Sequence, residues 1–174
     1  MSHPEQREFV VGLVERFPEA FNECRVLEIG SLNINGTVRD FFTDCFHLGV
    51  DLATGPGVDV IAEGQHLDYP DGDFTTTISA ECFEHNPYWV ETFANMHRMS
   101  SYLVVVTCAT TGRPEHGTTR SEPTSSPFTT ERWDYYRNLT EEDFRAAFNL
   151  DEMFTEYEFS TNDESNDLYF WGVK

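Results

Sequence analysis

Hydrophobic and polar positions along the chain fall into two alternating kinds of pattern. Short apolar or β-branched runs predict strands, and stretches with an apolar residue at every third or fourth position predict helices. The predicted strands cover residues 25–29, 46–51, 58–62, 74–80 and 102–108, and the predicted helices cover about 4–22, 87–99 and 140–148. Strands that alternate with helices are typical of an α/β fold with a parallel sheet.

The last part of the chain departs from this alternation. Residues 154–159 and 168–173 predict two strands that are joined by a polar turn without a helix. We therefore expect an antiparallel hairpin at one edge of the sheet. Between residues 109 and 132, Gly, Pro, Ser, Thr and Arg dominate and the periodicity disappears. A loop of that length after a central strand is typical of a functional or a disordered segment.

The junction at residues 25–36 carries the first indication of function. An apolar run ends at Gly30, a polar loop leads to Gly36, and a helix is predicted to begin within residues 36–43. In a parallel sheet, ligands bind where strands end and the chain turns into a helix. A glycine permits a sharp turn and close approach of a ligand, and the first amides of a helix can face anionic groups. The sequence therefore predicts a ligand site at this turn.

The spacing of these glycines argues against a dinucleotide. The Gly-x-Gly-x-x-Gly fingerprint would require glycines at two positions that hold Leu32 and Asn35, and Gly36 comes one position late. A nicotinamide or flavin cofactor is therefore disfavoured.

Polar residues at the predicted strand ends suggest a different ligand. Glu28 lies inside an apolar strand, where an acid is costly without a partner. Asp51 ends the second strand, where its carboxylate could accept both hydroxyls of a ribose. Residues 63–65 follow the third strand, where they could meet an adenine edge, and residues 79–82 follow the fourth. Together these positions predict a nucleoside-like ligand across strands one to four.

Charge and composition narrow the class of partner. The chain has 174 residues with 31 acidic and 11 basic side chains, which gives a formal net charge of −20. An acidic protein is repelled by phosphate backbones and by anionic membrane surfaces. We therefore expect no nucleic-acid partner and no membrane partner, and a small-molecule substrate is favoured. The sequence gives no indication of oligomeric state.

Cysteine usage and the amino-terminal segment indicate a reduced compartment. The four cysteines are scattered without a Cys-x-x-Cys pair, and no cysteine–histidine group has zinc-ligand spacing. We therefore expect reduced thiols and no metal. Residues 1–8 lack the layout of a signal peptide, and the apolar run 102–106 is too short to span a bilayer. These features predict a cytoplasmic protein.

In this context the chain resembles the class I S-adenosylmethionine-dependent methyltransferases, in the group labelled methyltransferase type 11. The resemblance covers roughly residues 24–150. It is carried by residues 26–31, 35–36, 48–51, 57–60, Phe74, Ile78, 83–85 and Trp89, and further by residues 116–117 and 136–137. Thr75 stands where the family usually has an aspartate, and residues 99–101 replace its usual Pro-Gly-Gly.

The resemblance implies an α/β fold, a Rossmann-like three-layer sandwich. Its sheet would have seven mostly parallel strands in the order 3-2-1-4-5-7-6, with strand seven antiparallel. It also implies S-adenosylmethionine as the cofactor, bound across strands one to four. The expected cofactor-binding residues are Glu28, Gly30, Ser31, Asn35, Gly36, Asp51, Leu52, Glu63, Gly64, Gln65, Ala80 and Glu81. The whole of residues 1–174 is expected to form a single domain.

Four residues are candidates for the acceptor side of the site. His85 follows strand four and could act as a general base, although a histidine that fixes its loop by hydrogen bonding is the favoured interpretation. His116 lies in the long 109–137 segment, expected on the substrate side, and is a second catalytic candidate. Tyr136 and Arg137 could close the substrate pocket or could be packing residues.

The sequence therefore predicts a methyltransferase with an unidentified small-molecule acceptor. The acceptor atom, whether oxygen, nitrogen or carbon, stays open. Two alternatives remain: a non-catalytic module that binds S-adenosylmethionine, and a nicotinamide-dependent oxidoreductase. The departures at Thr75 and at residues 99–101 motivate the first alternative.

Overall fold

The computed structural model describes residues 4–174. Residues 1–3, part of the segment used above to argue against a signal peptide, lie outside the described residues. The helices are α1 Pro4–Arg16, α2 Trp89–Met99, α3 Pro127–Arg132, α4 Glu141–Ala147 and α5 Leu150–Met153. The strands are β1 Arg25–Ile29, β2 Phe46–Asp51, β3 Val60–Ile61, β4 Phe74–Ala80, β5 Ser100–Ala109, β6 Glu156–Asn162 and β7 Asp167–Val173. None of the helices within residues 4–174 has the length and apolar character needed to cross a membrane.

The seven strands form one sheet in the order β3-β2-β1-β4-β5-β7-β6. Strands β1 to β5 run parallel to one another, and β7 is antiparallel to both β5 and β6. The expected strand order, the antiparallel seventh strand and the terminal hairpin are therefore confirmed. The parallel register places Glu28 between Gly49 of β2 and Ile78 of β4, so the carboxyl ends of the central strands meet at one edge.

Hydrophobic clusters cover both faces of the sheet and give the three layers. On one face, Phe93 of α2 and Phe144 of α4 pack with Phe170 of β7, and all three are fully buried. On the other face, Val10 of α1 packs with Val26 of β1. Each fully buried phenylalanine contributes about 1.5–3 kcal/mol relative to exposure. The buried aromatic cluster under α2 and α4 therefore anchors the strand ends that carry the site.

The prediction of a helix that begins within residues 36–43 is wrong. The chain forms only a 3₁₀ turn, Val38–Phe41, which Thr37 caps by accepting a hydrogen bond from the Arg39 amide. Thr43 instead pairs with the chain after α1, where its amide donates to the Phe21 carbonyl at 2.9 Å. The Thr43 amide that bonds to Phe21 is not available for a helical hydrogen bond, so the helical conformation ends after the single turn Val38–Phe41.

Other predicted boundaries also shift. The first helix ends at Arg16 rather than near residue 22, because Pro18 opens a separate 3₁₀ turn, Pro18–Ala20. The third strand is reduced from 58–62 to Val60–Ile61 at the sheet edge. The segment 109–137 is not a plain loop, since it contains the 3₁₀ turn Pro123–Ser125 and helix α3. Pro127 is suited to the first turn of α3, where its missing amide hydrogen is not needed.

Candidate active site

A cleft opens at the carboxyl ends of β1, β2 and β4. Gly30, Asp51 and Glu81 line it from the strand side, and residues 125–129 line it from the opposite side. The sequence placed all three strand-side residues among the cofactor contacts. The structure thus brings these residues together at the edge where parallel sheets bind ligands.

Gly30 is required by the backbone at the start of the cleft. Its φ angle is +81°, and a Cβ atom added there would lie 2.5 Å from the Cβ of Cys82. A side chain at this position would be strained and would also clash with the chain that leaves β4. The turn after β1 therefore presents bare backbone to the cleft, as the glycine predicted.

Asp51 is held in place by two backbone amides. One carboxylate oxygen accepts from the Leu32 amide at 2.9 Å, and the other accepts from the Leu52 amide at 2.7 Å. Burial raises the pKa of Asp51, and the two amide hydrogen bonds act in the opposite direction. Each carboxylate oxygen has more than one acceptor site. The side chain is thus fixed at the cleft with capacity to accept hydrogen bonds from a ligand.

Glu28 does not face the cleft. Its carboxylate lies 2.7 Å from Nε2 of His47 on β2, and both side chains are almost fully buried. The partner that a buried acid requires is thus an imidazole of the neighbouring strand. A role for Glu28 in the site would be indirect, through the position of β1 and of the glycine turn that follows it, and its prediction as a cofactor-binding residue stays untested.

Beyond Asp51, the cleft continues as hollows beneath α3. Leu52 and Glu63 line these hollows together with Arg132 of α3. The guanidinium of Arg132 forms an ion pair with Glu63, whose second oxygen accepts from Gln65 Nε2 at 2.7 Å. Phe128 of α3 lines both the cleft and the neighbouring hollow. Helix α3 therefore lies across the site expected for the adenosine part of a cofactor.

The remaining predicted cofactor residues lie around the cleft without lining it. They are Ser31, Asn35, Gly36, Gly64 and Ala80. Ser31 is buried with its Oγ near Gly49, and the Gly36 amide donates to the Asn33 side chain at 2.9 Å. These positions shape the turns that carry the lining residues, and their assignment as contacts stays a prediction.

Three of the four acceptor-side candidates form one aromatic cluster. The ring centroids of His85 and His116 are 5.0 Å apart at an interplanar angle of 87°. The ring of Tyr136 lies 5.5 Å from His85 and 5.0 Å from His116. His85 lines the cleft, and His116 lies behind it with 6% of its surface exposed. Three candidates that are distant in sequence thus meet at one end of the cleft.

Burial controls the protonation of this cluster. Burial, with a further contribution from His116, lowers the pKa of His85 to about 3. Burial also lowers the pKa of His116 and raises the pKa of Tyr136. Both imidazoles are therefore neutral at neutral pH, with a lone pair available on each ring. The pKa of Glu84 is raised well above its ordinary range by burial and then by repulsion from Glu81.

Arg137 is separated from the other three candidates. Its guanidinium forms an ion pair with Asp143 of α4, and its amide donates to the Glu84 carbonyl at 2.8 Å. The side chain is half exposed and does not line the cleft. Its position stabilises the chain next to Tyr136, and a direct substrate contact stays a prediction.

Sequence reasoning did not select several residues that line the cleft or lie beside it. Leu32 and Ile34 extend from the turn after β1, and Phe128 comes from α3. Glu84 lies fully buried beside His85. The adjacent Glu-His pair after the fourth strand could have indicated Glu84 as a site residue. No pattern in the sequence around α3 indicated that this helix folds back over the cleft.

Comparisons with solved structures identify the fold. The chain is similar to phosphoethanolamine N-methyltransferase 2 of Haemonchus contortus in complex with S-adenosylmethionine, with a TM-score of 0.65 and 15% identity over 96% of this chain and 52% of that one. It is similar to the CurJ carbon methyltransferase, with a TM-score of 0.63 and 14% identity over 94% and 51%. It is also similar to the YcgJ protein of Bacillus subtilis, with a TM-score of 0.62 and 13% identity over 96% and 98%.

The chain thus spans about half the length of two of these proteins and nearly all of the third. No family model matches the chain, and no curated protein matches it in sequence. At such low identities the likeness concerns the fold. Strand order, strand directions and layers are those of the class I S-adenosylmethionine-dependent methyltransferases, which confirms the predicted fold and, at the level of fold, the resemblance.

Proposed function

We propose that the protein is an S-adenosylmethionine-dependent methyltransferase that acts on a small-molecule acceptor. The observation that carries the proposal is the Asp51 carboxylate, which two backbone amides fix at the cleft beside Gly30. In a sheet of this order, an acid at the end of β2 is positioned to accept hydrogen bonds from ribose hydroxyls.

The residues along the cleft fit such a cofactor. Gly30 leaves the backbone accessible, and Glu81 adds an acid at the β4 end, where an amino group could bind. Asp51 would hold the ribose, and Leu52 and Glu63 would face the adenine in the hollows beneath α3. The site is long and polar at its strand side, which suits an elongated ligand with a hydroxyl-rich centre.

The cofactor, when bound, supplies a methyl group that is already activated on a sulfonium. The protein then has to position the acceptor and exclude water. Residues 125–129 cover the cleft and would exclude water there. His85 lines the cleft beside the place proposed for the acceptor, and burial keeps its ring neutral. A strong base is not required, so the modest set of titratable groups fits this chemistry.

Small acceptors of different kinds are compatible with this fold. Two of the similar proteins named above are a carbon methyltransferase and a phosphoethanolamine N-methyltransferase. The net charge of −20 disfavours nucleic acid as the acceptor in this chain. We therefore place a small molecule at the end of the cleft near His85 and Tyr136.

Binding of S-adenosylhomocysteine tests the cofactor assignment. We expect wild-type protein to bind it, and Asp51→Asn to weaken binding about 10- to 100-fold because a charged hydrogen-bond acceptor is lost. Isothermal titration calorimetry measures both. Asp71→Asn is the matched control, because Asp71 is exposed and pairs with Arg98 away from the cleft. Equal affinities for Asp51→Asn and wild type would contradict the assignment.

Transfer of a labelled methyl group to a mixture of small metabolites tests the activity. Binding without transfer to any of them would favour the non-catalytic module. Thermal stabilisation by NAD but not by S-adenosylhomocysteine would favour the oxidoreductase instead. A ligand at 100 times its Kd stabilises the folded state by about 2.7 kcal/mol, so a thermal-shift comparison resolves these outcomes.

A further inference from the structure

Glu84, His85 and His116 bring three metal-ligating side chains to one point at the end of the cleft. One ligand atom from each lies within 4.8 Å of the ligand atoms of the other two. All three side chains are buried, with exposed fractions of 0%, 3% and 6%. Two imidazoles and a carboxylate are a donor set that divalent transition metals prefer.

Polar atoms of these three side chains lack protein partners. Among residues 4–174, no hydrogen-bond partner is present for Nδ1 of His85, Nε2 of His116 or either carboxylate oxygen of Glu84. Buried polar atoms are almost always satisfied in folded proteins. Four unsatisfied atoms on three adjacent side chains therefore indicate a shared ligand, and a cation that replaces the Glu84 proton can accept a lone pair from each of the three side chains.

The hydrogen bond on the far side of the His116 ring supports this reading. Nδ1 of His116 lies 3.1 Å from the Pro114 carbonyl. Because a carbonyl can only accept, Nδ1 carries the hydrogen and Nε2 keeps its lone pair. Histidines that bind metals donate their other ring N–H to a carbonyl or a carboxylate in this way. The tautomer of His116 is thus set for ligation through Nε2.

The loop that carries His116 is fixed against His85. Gly117 has a φ of +63°, and a Cβ added there would lie 2.7 Å from Cε1 of His85, so only glycine permits this approach. On the other side of His116, the Glu115 carboxylate accepts from Thr118 Oγ1 at 2.7 Å and from Arg120 Nε at 2.8 Å. The two imidazoles are therefore held together by the fold and not by flexible surface chain.

We propose that Glu84, His85 and His116 form a binding site for one divalent transition-metal ion. Metal–ligand distances of about 2.0–2.2 Å in a tetrahedral site place ligand atoms about 3.3–3.6 Å apart, so the three side chains have to approach one another by up to about 1.5 Å. Three protein ligands leave further coordination positions, and one of the three, His85, lines the cleft.

The use of this ion rests on the proposed methyltransferase function. An ion at the acceptor end would bind an oxygen of the acceptor and lower the pKa of its hydroxyl. Such an ion would suit a small molecule with a hydroxyl group as the substrate, with oxygen as the methylated atom. The proton released on ligation goes to solvent or to a buffer base.

Titration of the untagged full chain with Zn²⁺ and Co²⁺ tests the site. We expect one equivalent to bind to wild type, measured by calorimetry, and the Co²⁺ form to show the visible absorption of a low-symmetry nitrogen–oxygen site. Glu84→Gln and His116→Gln are each expected to weaken binding by about 100-fold or more, since each removes one of three protein ligands. Far-UV circular dichroism checks that both variants are folded, and Glu84→Gln preserves the shape of the side chain.

His66→Ala is the matched control. His66 is an exposed histidine beside the Glu63 carboxylate, the kind of surface pair that binds metal adventitiously. Unchanged stoichiometry in this variant is expected. The absence of stoichiometric metal binding to wild type would overturn the proposal. So would metal affinities of Glu84→Gln and His116→Gln that equal the affinity of wild type. Binding of S-adenosylhomocysteine in the presence of EDTA is measured separately, so failure of the metal site and failure of the cofactor assignment are distinguishable.

Discussion

The two ends of the cleft are built in different ways. At the β1–β2 end, the Asp51 carboxylate is held by the amides of Leu32 and Leu52, and a glycine keeps the space open. At the other end, His85 and His116 meet from distant parts of the chain, and each has a buried ring nitrogen without a partner among residues 4–174. The first end is thus held by backbone amides and a glycine turn, whereas the second depends on the packing of segments that are distant in the chain.

Gly30→Ala should affect the β1–β2 end most strongly. The left-handed backbone and the contact with Cys82 together cost about 2–5 kcal/mol of unfolding free energy. Urea denaturation measures the loss, and calorimetry should show loss of S-adenosylhomocysteine binding. Gly12→Ala is the control, because a Cβ there meets nothing within 4 Å in helix α1. It should stabilise by up to about 1 kcal/mol. A similar small gain for Gly30→Ala would show that the turn does not depend on this glycine.

Phe128→Ala should have a smaller effect, and it separates binding from stability. Phe128 is only partly buried, but it lines the cleft and the hollow beneath α3. We expect a stability loss of about 1 kcal/mol and an affinity for S-adenosylhomocysteine lower by roughly three- to tenfold. Phe46→Ala, at the opposite end of β2, removes an equally large, more exposed ring and should leave affinity unchanged. Equal affinities in wild type and Phe128→Ala would mean that α3 does not cover the bound cofactor.

The smallest effect concerns a histidine outside the cleft. Burial lowers the pKa of His97, whose Nε2 lies 2.9 Å from the Met153 carbonyl. Because the folded state binds this proton less readily than the unfolded chain, His97 contributes stability above the ordinary histidine pKa that is lost as the pH falls below it. His97→Gln should therefore reduce the loss of stability between about pH 7.5 and about pH 5. An unchanged pH profile would assign that loss of stability to other groups. Because burial lowers the pKa of His97 as well as that of His85, a lowered pKa alone does not identify a histidine of the site.

The difference between the two ends also explains what the sequence could predict. Strand patterns, the Gly30 turn and the acid at Asp51 are local features, and the structure confirms their geometry. The helix expected after β1 failed because Thr43 pairs with the chain near Phe21, a contact that no local pattern encodes. The approach of His116 to residues 84–85 depends on the fold of the whole 109–137 segment. Side chains that act together only after folding were therefore the least predictable part of the site.

The position of β7 has a consequence for how the protein is made. This strand follows β6 in the chain but lies between β5 and β6 in the sheet. During synthesis the edge of β5 that later pairs with β7, with its buried residues 103–106, therefore has no strand partner until β7 emerges from the ribosome. An apolar edge of this kind is prone to intermolecular strand pairing. Rapid closure by the β6–β7 hairpin, whose strands are adjacent in sequence, limits the time for which the nascent chain is exposed in this way.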